Sequence, residues 1–209
     1  QWWWEVRYPG KVAGEAIITA NELKLPAGRP VRLILRSEDV IHSFWVPSLA
    51  GKMDLIPGHR RQLVIEASQP GRFRGQCAEF CGAQHARMAL DVEAMPAQEF
   101  DAWLERHARA KTVTGTAAWL RGREAFSALD CARCHSVRGH TQASVAGPDL
   151  THVAGRRWLG AGTLPNDREH LAEWIAHSQR HKRGNAMPDY GAVDTQTLAA
   201  LVEYLWSRP

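Results

Sequence analysis

The first half of the chain alternates apolar and polar positions over short runs. The run VRLILRS at 31–37 has a period of two, and the runs RQLVIEA at 61–67 and MALDVEA at 88–94 repeat it. Such alternation is typical of strands with one buried face. Turn residues separate these runs, namely Pro26-Ala27-Gly28, Pro57-Gly58 and Pro70-Gly71. Short alternating strands between frequent turns predict an all-β sandwich or barrel.

The period changes to that of a helix after Pro96. Apolar residues recur three or four positions apart in four runs, which predicts helices at 97–108, 123–129, 170–178 and 195–206. Between them lie two irregular stretches, 136–167 and 178–193. About 32 residues without structure are unusual inside a compact domain. We therefore expect a prosthetic group, rather than side chains alone, to fill the core of this half.

The small polar segment KTVTGT at 111–116 divides the two halves. We predict a first domain at 1–106, a linker at 107–116 and a second domain at 117–209. The net charge of +4 lies wholly in residues 107–209. No long Lys/Arg run stands beside aromatic residues, so no nucleic-acid partner is predicted. The longest apolar runs are much shorter than the roughly 20 residues of a membrane helix.

Four cysteines form two local pairs, and the second pair lies in the motif Cys131-Ala-Arg-Cys134-His135. The spacing C-x-x-C-H is the attachment pattern of c-type haem. Two thiols add across the two haem vinyl groups, and the adjacent histidine is held beneath the iron. A redox disulfide or half of a zinc site are the alternatives, but the sequence has neither a βαβ pattern around the motif nor a second C-x-x-C.

An electron-transfer haem needs a sixth ligand, and a methionine in that position raises its potential. Met187 is the only methionine that follows the motif, and it lies in the polar loop GNAMPDY at 184–190. A polar loop is a poor place for a methionine that merely fills a core. Five histidines remain rival ligands: His140, His152, His170, His177 and His181.

Residues 117–209 resemble a class I cytochrome c domain. The resemblance rests on a helix, C-x-x-C-H, the turn Gly147-Pro148-Asp149-Leu150, the Met187-Pro188 loop and a C-terminal helix. It implies an all-α fold in which the Pro148 carbonyl orients His135 and Leu150 lines the haem pocket. It also implies a crossing of the first and last helices at a small residue on an aromatic one, for which Gly122 and Tyr204 are candidates.

The first cysteine pair lies in CAEFCGAQHARM at 77–88. Thiolate, imidazole and thioether ligands together suit copper, whereas zinc would not call for the methionine. A second cysteine indicates a second copper, and two coppers need two terminal imidazoles. His85 supplies one; His42 is the main candidate for the other, and His59 is a weaker one. A Cys77–Cys81 disulfide is the alternative.

Residues 1–106 resemble the CuA domain of cytochrome c oxidase subunit II, through HSFWVPSLAGKMDLIPG at 42–58 and the 77–88 motif. This resemblance implies a cupredoxin-like Greek-key sandwich that holds a dinuclear copper centre. The implied ligands are His42, Cys77, Glu79 through its carbonyl, Cys81, His85 and Met88. It also implies that the Glu79 carboxylate reaches a magnesium ion shared with the catalytic subunit, which this chain alone is not expected to hold.

Three adjacent tryptophans open the sequence at Trp2-Trp3-Trp4. Their size and position predict a membrane-interface belt or a docking surface. The resemblance places the electron entry point at Trp2. It further implies a membrane hairpin that precedes this domain, so we expect an ectodomain on the periplasmic, outer face of a bacterial membrane, anchored in the full-length protein.

Together the two resemblances imply the electron-transfer subunit of a haem-copper oxidase. An external donor, such as a soluble cytochrome c or another redox protein, is expected to reduce haem c. Electrons then pass to CuA and on to catalytic subunit I, which reduces oxygen to water with proton pumping. The alternatives are a copper-binding assembly or sensor protein, and the electron-transfer domain of a nitrous oxide reductase-like system. A basic run, residues 180–183 (RHKR), is expected to dock either an acidic donor or the copper domain.

Overall fold

The computed structural model of this chain describes residues 1–10, 16–109, 115–141 and 146–208. The residues of the predicted linker at 110–114 lie outside this description. The described residues of the first half contain nine strands and one α-helix: β1 Glu5–Tyr8, β2 Ile17–Ala20, β3 Glu22–Pro26, β4 Val31–Leu35, β5 His42–Phe44, β6 Met53–Leu55, β7 Arg61–Ile65, β8 Gly71–Gln76, β9 Ala89–Met95 and α1 Ala97–Ala108. Strands β4, β7 and β9 follow the three runs of alternating residues, as predicted.

The strands of the first half pair into several small sheets. In the largest, β9 lies between β3, to which it is parallel, and β8, to which it is antiparallel. Strands β4 and β7 form an antiparallel pair, as do β5 and β6. One core joins these sheets, because Leu25, Leu35, Ile65 and Val92 from four different strands all belong to it. The prediction of a β-rich first domain is confirmed.

The second half is helical around a separate core. Its elements are α2 Ala117–Ala128, the short strands β10 Trp158–Leu159 and β11 Leu164–Pro165, α3 Arg168–His181 and α4 Thr195–Trp206. Each helix begins at a polar residue whose side chain accepts a backbone N–H bond from the first turn: Thr116, Asp167 and Asp194. None of the described helices has the length and apolar character needed to cross a bilayer.

Helix α3 extends further than its apolar pattern predicted. The sequence indicated irregular chain from residue 178, but helical structure continues to His181, with non-helical backbone at His177. A hydrogen bond to a residue outside the helix stabilises the extra turn: the Asp189 carboxylate accepts the backbone N–H of Gln179 at 2.8 Å. A contact between distant loop residues therefore sets this helix end, which explains why local periodicity missed it.

Helices α2 and α4 cross at Gly122, which lies against the fully buried Tyr204. A β-carbon at Gly122 would lie 1.9 Å from the carbonyl oxygen of Ala200, so only glycine permits this approach. The small-on-aromatic crossing predicted from the sequence is confirmed in these two helices. It brings the end of the chain against the helix that precedes the haem motif.

Replacing Gly122 with alanine is expected to lower the free energy of unfolding by at least about 2 kcal/mol, since an added methyl group overpacks the crossing. Urea unfolding followed by circular dichroism measures the change. Arg121→Ala, at the exposed neighbouring position, is the control and should alter stability by less than about 0.5 kcal/mol. Equal stability of the two variants would contradict the close crossing.

The two halves contact each other through polar groups near the linker. Arg138 of the second half donates to the His107 carbonyl at 2.7 Å, at the end of α1. The ring of His107 lies between Trp103 and His152, with centroid distances of 4.3 Å to each. Burial, reinforced by the neighbouring His152, lowers the pKa of His107 to about 4. This contact therefore requires a neutral His107.

Acid is expected to weaken this contact. The pKa of His107 is below the ordinary value of 6.5, so its stabilising effect is complete above pH 6.5 and is lost as the pH falls towards 4. Allowing for its partial exposure, we expect His107→Gln to remove about 1 kcal/mol of the stability difference between pH 7.5 and pH 5. Urea unfolding at both pH values measures this. His59→Gln, at an exposed histidine, is the control, and an identical pH dependence in both variants would refute the expectation.

Candidate metal centre and haem site

The first candidate site collects all the sulfur and imidazole ligands predicted for copper. Strand β5 carries His42, the turn after β8 carries Cys77, and the loop that leads into β9 carries the others. His42, Cys77 and Cys81 offer ligand atoms within 4.8 Å of one another, and all three are buried. Both cysteines are free thiols, with their Sγ atoms 3.8 Å apart, so the structure contains no Cys77–Cys81 disulfide.

Each thiol of this cluster faces a different imidazole. Cys77 Sγ lies 3.8 Å from His42 Nδ1, and Cys81 Sγ lies 3.7 Å from His85 Nδ1. Two ligands of one tetrahedral metal, bound at about 2.3 Å through sulfur and about 2.0 Å through nitrogen, lie roughly 3.5 Å apart. Each thiol–imidazole pair therefore has a spacing that would suit two ligands of one metal ion, and the cluster contains two such pairs. His59 is exposed and is not part of this cluster.

The remaining predicted ligands lie beside the same sulfurs. The Met88 Sδ is 3.9 Å from Cys81 Sγ, and the Glu79 carbonyl oxygen is 3.2 Å from Cys77 Sγ. Met88 is almost fully buried, as are both cysteines. A soft donor set of two thiols, two imidazoles, a thioether and a carbonyl suits copper rather than magnesium or calcium. The donor set thus fits a copper pair.

The two thiols do not share the same electrostatic environment. Burial raises the pKa of both, but hydrogen bonds from His42 and from the Ser43 backbone outweigh burial at Cys77, whose pKa falls to about 6. Burial and the charge of Cys77 together raise the pKa of Cys81. Cys77 therefore loses its proton more readily than Cys81, and a metal bound to both sulfurs would have to displace the proton of Cys81.

Three groups that sequence reasoning missed hold the predicted copper ligands in place. Asp39 Oδ1 lies 2.7 Å from His42 Nε2, the carboxylate–histidine pair typical of metal-binding imidazoles. The Trp4 indole donates to the Met88 carbonyl at 3.3 Å, and the Gln76 amide donates to the His85 carbonyl at 3.2 Å. The position of Asp39, three residues before His42, was the only local signal for any of them.

Two of the three opening tryptophans, Trp2 and Trp4, have buried side chains. Trp2 is 9% exposed and Trp4 is 8% exposed, and both belong to the core of the first domain. The Trp2 indole donates to the Cys81 carbonyl at 2.9 Å. In these residues the predicted interface belt is therefore wrong, because the rings pack over the metal ligands. The predicted role of Trp2 in electron entry stays a prediction.

The second candidate site surrounds the C-x-x-C-H motif. Cys131–Arg133 form a single 3₁₀ turn, which directly precedes Cys134 and His135. The His135 Nδ1 lies 2.8 Å from the Pro148 carbonyl oxygen. A β-carbon at Gly147 would lie 2.9 Å from the His135 ring, so the Gly-Pro turn packs directly on the imidazole. The carbonyl fixes the imidazole orientation and leaves Nε2 as the ligand atom.

The protonation state of His135 also suits a histidine that would bind the haem iron. Burial lowers the pKa of His135, and the bond to Pro148 only partly opposes this effect. The imidazole is thus neutral at physiological pH and able to bind iron. Burial likewise raises the pKa of Cys131 to about 11, which keeps that sulfur a thiol until it is attached.

Hydrogen bonds to the backbone of Met187 hold its loop in place. The Met187 carbonyl accepts bonds from Ser178 Oγ at 3.0 Å and from Gln179 Nε2 at 2.8 Å. Its N–H donates to Asn185 Oδ1 at 2.7 Å. Met187 and Leu150 both pack against the core of the second domain, and both are half-buried. The irregular loop is therefore shaped for a defined side-chain position, and its residues fit a haem pocket.

Four of the five rival histidines have partners away from this pocket. His140 contacts the Tyr204 hydroxyl at 2.6 Å, His170 pairs with Asp167, and His181 pairs with Glu173. His152 stacks on His107 of the first domain. The ring of the fifth, His177, packs against Gly191. These contacts favour Met187 as the sixth ligand.

The fold and the two sites define a class of protein: a β-rich domain with a copper-type thiol–imidazole cluster, followed by a c-type cytochrome domain. Residues 10–95 match the family described as "Cytochrome C oxidase subunit II, periplasmic domain", and residues 120–209 match the family described as "Cytochrome c". The chain belongs to the cytochrome c oxidase subunit II family, in a form that carries a cytochrome c domain. These families imply copper in the first domain and haem in the second.

Individual relatives agree with this assignment. Cytochrome c oxidase subunit 2 of Alkalihalophilus pseudofirmus (strain ATCC BAA-2126 / JCM 17055 / OF4) is 39% identical over 208 residues, which cover 99% of this chain and 58% of that protein. The same subunit of Bacillus sp. (strain PS3) is 34% identical, over 99% of this chain and 60% of that protein. The chain thus spans less than two thirds of the length of these relatives.

A solved structure is similar to part of this chain. The periplasmic domain of subunit II of cytochrome oxidase (CoxB) of Bradyrhizobium japonicum is 31% identical, with a TM-score of 0.41. The match covers 49% of this chain and 74% of that chain.

Proposed function

We propose that this chain is the electron-transfer part of subunit II of a haem-copper terminal oxidase. The observation that carries the proposal is the pair of buried thiols, each 3.7–3.8 Å from a different imidazole, on the same chain as a haem-attachment motif. When bound, the copper pair and the haem supply one-electron carriers. The protein contributes fixed ligands, which limit the structural change that accompanies each change of charge.

In this proposal the first domain holds the copper pair and the second domain holds the haem. His42, Cys77, Cys81 and His85 hold the copper pair, with Met88 and the Glu79 carbonyl as weaker ligands. In the second domain, Cys131 and Cys134 attach the haem, and His135 and Met187 bind its iron. Tethering the domains in one chain raises their effective concentration for each other, so that transfer between them does not depend on diffusion.

An exposed apolar patch next to the copper ligands supports a docked partner, which we propose to be catalytic subunit I. Phe80, between Glu79 and Cys81, is 76% exposed, and Ile41, beside His42, is 44% exposed. Val40 and Trp45 add to this patch. Side chains of this size are costly to leave in water. We propose that the Glu79 carboxylate then shares a magnesium ion with this partner.

We place the chain at the periplasmic face of a bacterial membrane, anchored by a segment of the full-length protein. The electron donor is proposed to be a soluble cytochrome c or another redox protein. A copper assembly or sensor protein is the second candidate. Its ligands must exchange metal, and the near-complete burial of Cys77 and Cys81 argues against that role.

The electron paramagnetic resonance spectrum of the copper-loaded protein tests this function. We expect one unpaired spin shared equally by two copper nuclei. The isolated signal of a single copper, or two copper equivalents without any shared-spin signal, would reject the oxidase assignment and favour a metal-handling role. The haem absorbance of the same sample reports independently on the second domain.

A further inference from the structure

Residues 181–183 of the cytochrome domain lie directly on the loop that carries the copper ligands. The Gln84 amide donates to the Arg183 carbonyl at 2.7 Å, and the Arg87 guanidinium donates to the His181 carbonyl. These two donors flank His85 in the sequence. These two contacts use backbone carbonyls of the basic run, and among the described residues its charges pair with Glu173 of its own domain rather than with acidic residues of the copper domain.

Lys182, in the middle of this segment, is 3% exposed. Its ammonium group donates to three carbonyl oxygens: Trp2 at 2.6 Å, Arg87 at 2.7 Å and Gly160 at 2.9 Å. The first two belong to the copper domain and the third to the cytochrome domain. All three ammonium protons are therefore used, and the group binds the two domains to each other.

Burying the amino group of Lys182 costs free energy. An incidental contact is therefore a poor explanation for its position between the domains. Burial, with a contribution from the charge of Arg87, lowers the pKa of Lys182 to about 7. Within the described residues, no carboxylate forms an ion pair with it. A buried amino group persists only where its hydrogen bonds compensate for desolvation. That compensation exists here only while the domains are docked.

We propose that the cytochrome domain of this chain is the resident occupant of the surface around Trp2, and that Lys182 is the positioning residue that holds it there. Trp2 is the predicted electron entry point, and its carbonyl is bound by Lys182. A separate donor protein therefore cannot dock on this surface while the domains are together. Such a donor is directed to the haem domain instead, a consequence that rests on the proposed function.

The same segment continues into the loop of the proposed haem ligand. The Lys182 carbonyl accepts a bond from the Asn185 amide at 2.8 Å, and the Asn185 side chain accepts the Met187 N–H. Docking by Lys182 thus fixes the start of the Met187 loop relative to the His85 loop. No other described lysine joins the two domains in this way.

Amide hydrogen exchange of the haem- and copper-loaded protein tests the proposal without any electron transfer. The Ala89 N–H bonds to the Ala161 carbonyl across the domain interface at 3.1 Å. The Asp91 N–H, two residues later in β9, bonds to Asn21 within the copper domain at 3.0 Å. In Lys182→Met, we expect exchange at Ala89 to become about tenfold faster or more, while exchange at Asp91 is unchanged.

Arg180→Met is the matched control, because Arg180 lies two residues away with an exposed side chain and makes none of these interdomain bonds. Its exchange at Ala89 should equal that of the unaltered protein. Unchanged exchange at Ala89 in Lys182→Met would overturn the proposal. If Lys182→Met instead loses protection at both amides, the variant has lost its fold, and the decision passes to a measurement on the unaltered protein.

That measurement is acetylation of the native protein, read by mass spectrometry. Lys52 has an exposed side chain and should react fully, whereas Lys182 should resist the reagent until the protein is denatured. Acetylation of Lys182 at the rate of Lys52 would show an open interface and reject the proposal. The acetylation test remains valid if the proposed copper pair fails to appear, so the two conclusions can fail separately.

Discussion

Cys77→Ser is expected to abolish the shared-spin copper signal and to leave the cytochrome domain unchanged. Cys77 Sγ is the central atom of the site, at 3.8 Å from both His42 Nδ1 and Cys81 Sγ and at 3.2 Å from the Glu79 carbonyl. A serine hydroxyl is a hard, weakly acidic ligand that does not bridge two coppers as a thiolate does. At most one copper should therefore bind.

Electron paramagnetic resonance and copper analysis on the same sample measure this effect. Serine differs from cysteine by one atom, so we expect the domain to fold and the haem absorbance to match that of the unaltered protein. Met88→Leu is the control within the site, because Met88 lies beside only one sulfur. It should alter the spectrum yet retain two coppers. Two coppers with a shared spin in Cys77→Ser would show that this sulfur is not a bridge.

The ligands of both sites could be predicted from the sequence because their chemistry is concentrated in short motifs. Residues 77–88 alone supply four side chains of the copper cluster, and C-x-x-C-H needs no tertiary information. His42 was harder to place, since it lies 35 residues from Cys77. It was predictable because a strand precedes it and because two coppers need two imidazoles.

The contacts that fix these ligands could not be predicted, because each depends on long-range packing. Lys182 and Trp2 are 180 residues apart in the sequence, and Arg138 and His107 are 31 apart. Local patterns contain no information on such pairs. The burial of Trp2 and Trp4 could not be predicted from a local period either, because Trp2 has a left-handed backbone, with φ 63°, and both residues precede the first strand.

Met187→Ala is expected to lower the reduction potential of the haem by on the order of 0.1–0.3 V, within the ~0.8 V range that axial ligands control. A thioether ligand favours the reduced iron, and alanine offers no replacement. The backbone bonds from Ser178 and Gln179 hold this loop independently of the side chain. The loop should therefore keep its shape, and Cys131 and Cys134 should still attach the haem.

A spectroelectrochemical titration of the purified protein measures this potential. Met95→Ala, in strand β9 of the first domain, is the matched control and should leave the haem potential unchanged. An unchanged potential in Met187→Ala would mean that another residue binds the iron. His177 would then be the first to replace, because the other four histidines already contact Tyr204, Asp167, Glu173 or His107. A lowered potential would assign the sixth ligand to a loop that Lys182 connects to the copper domain.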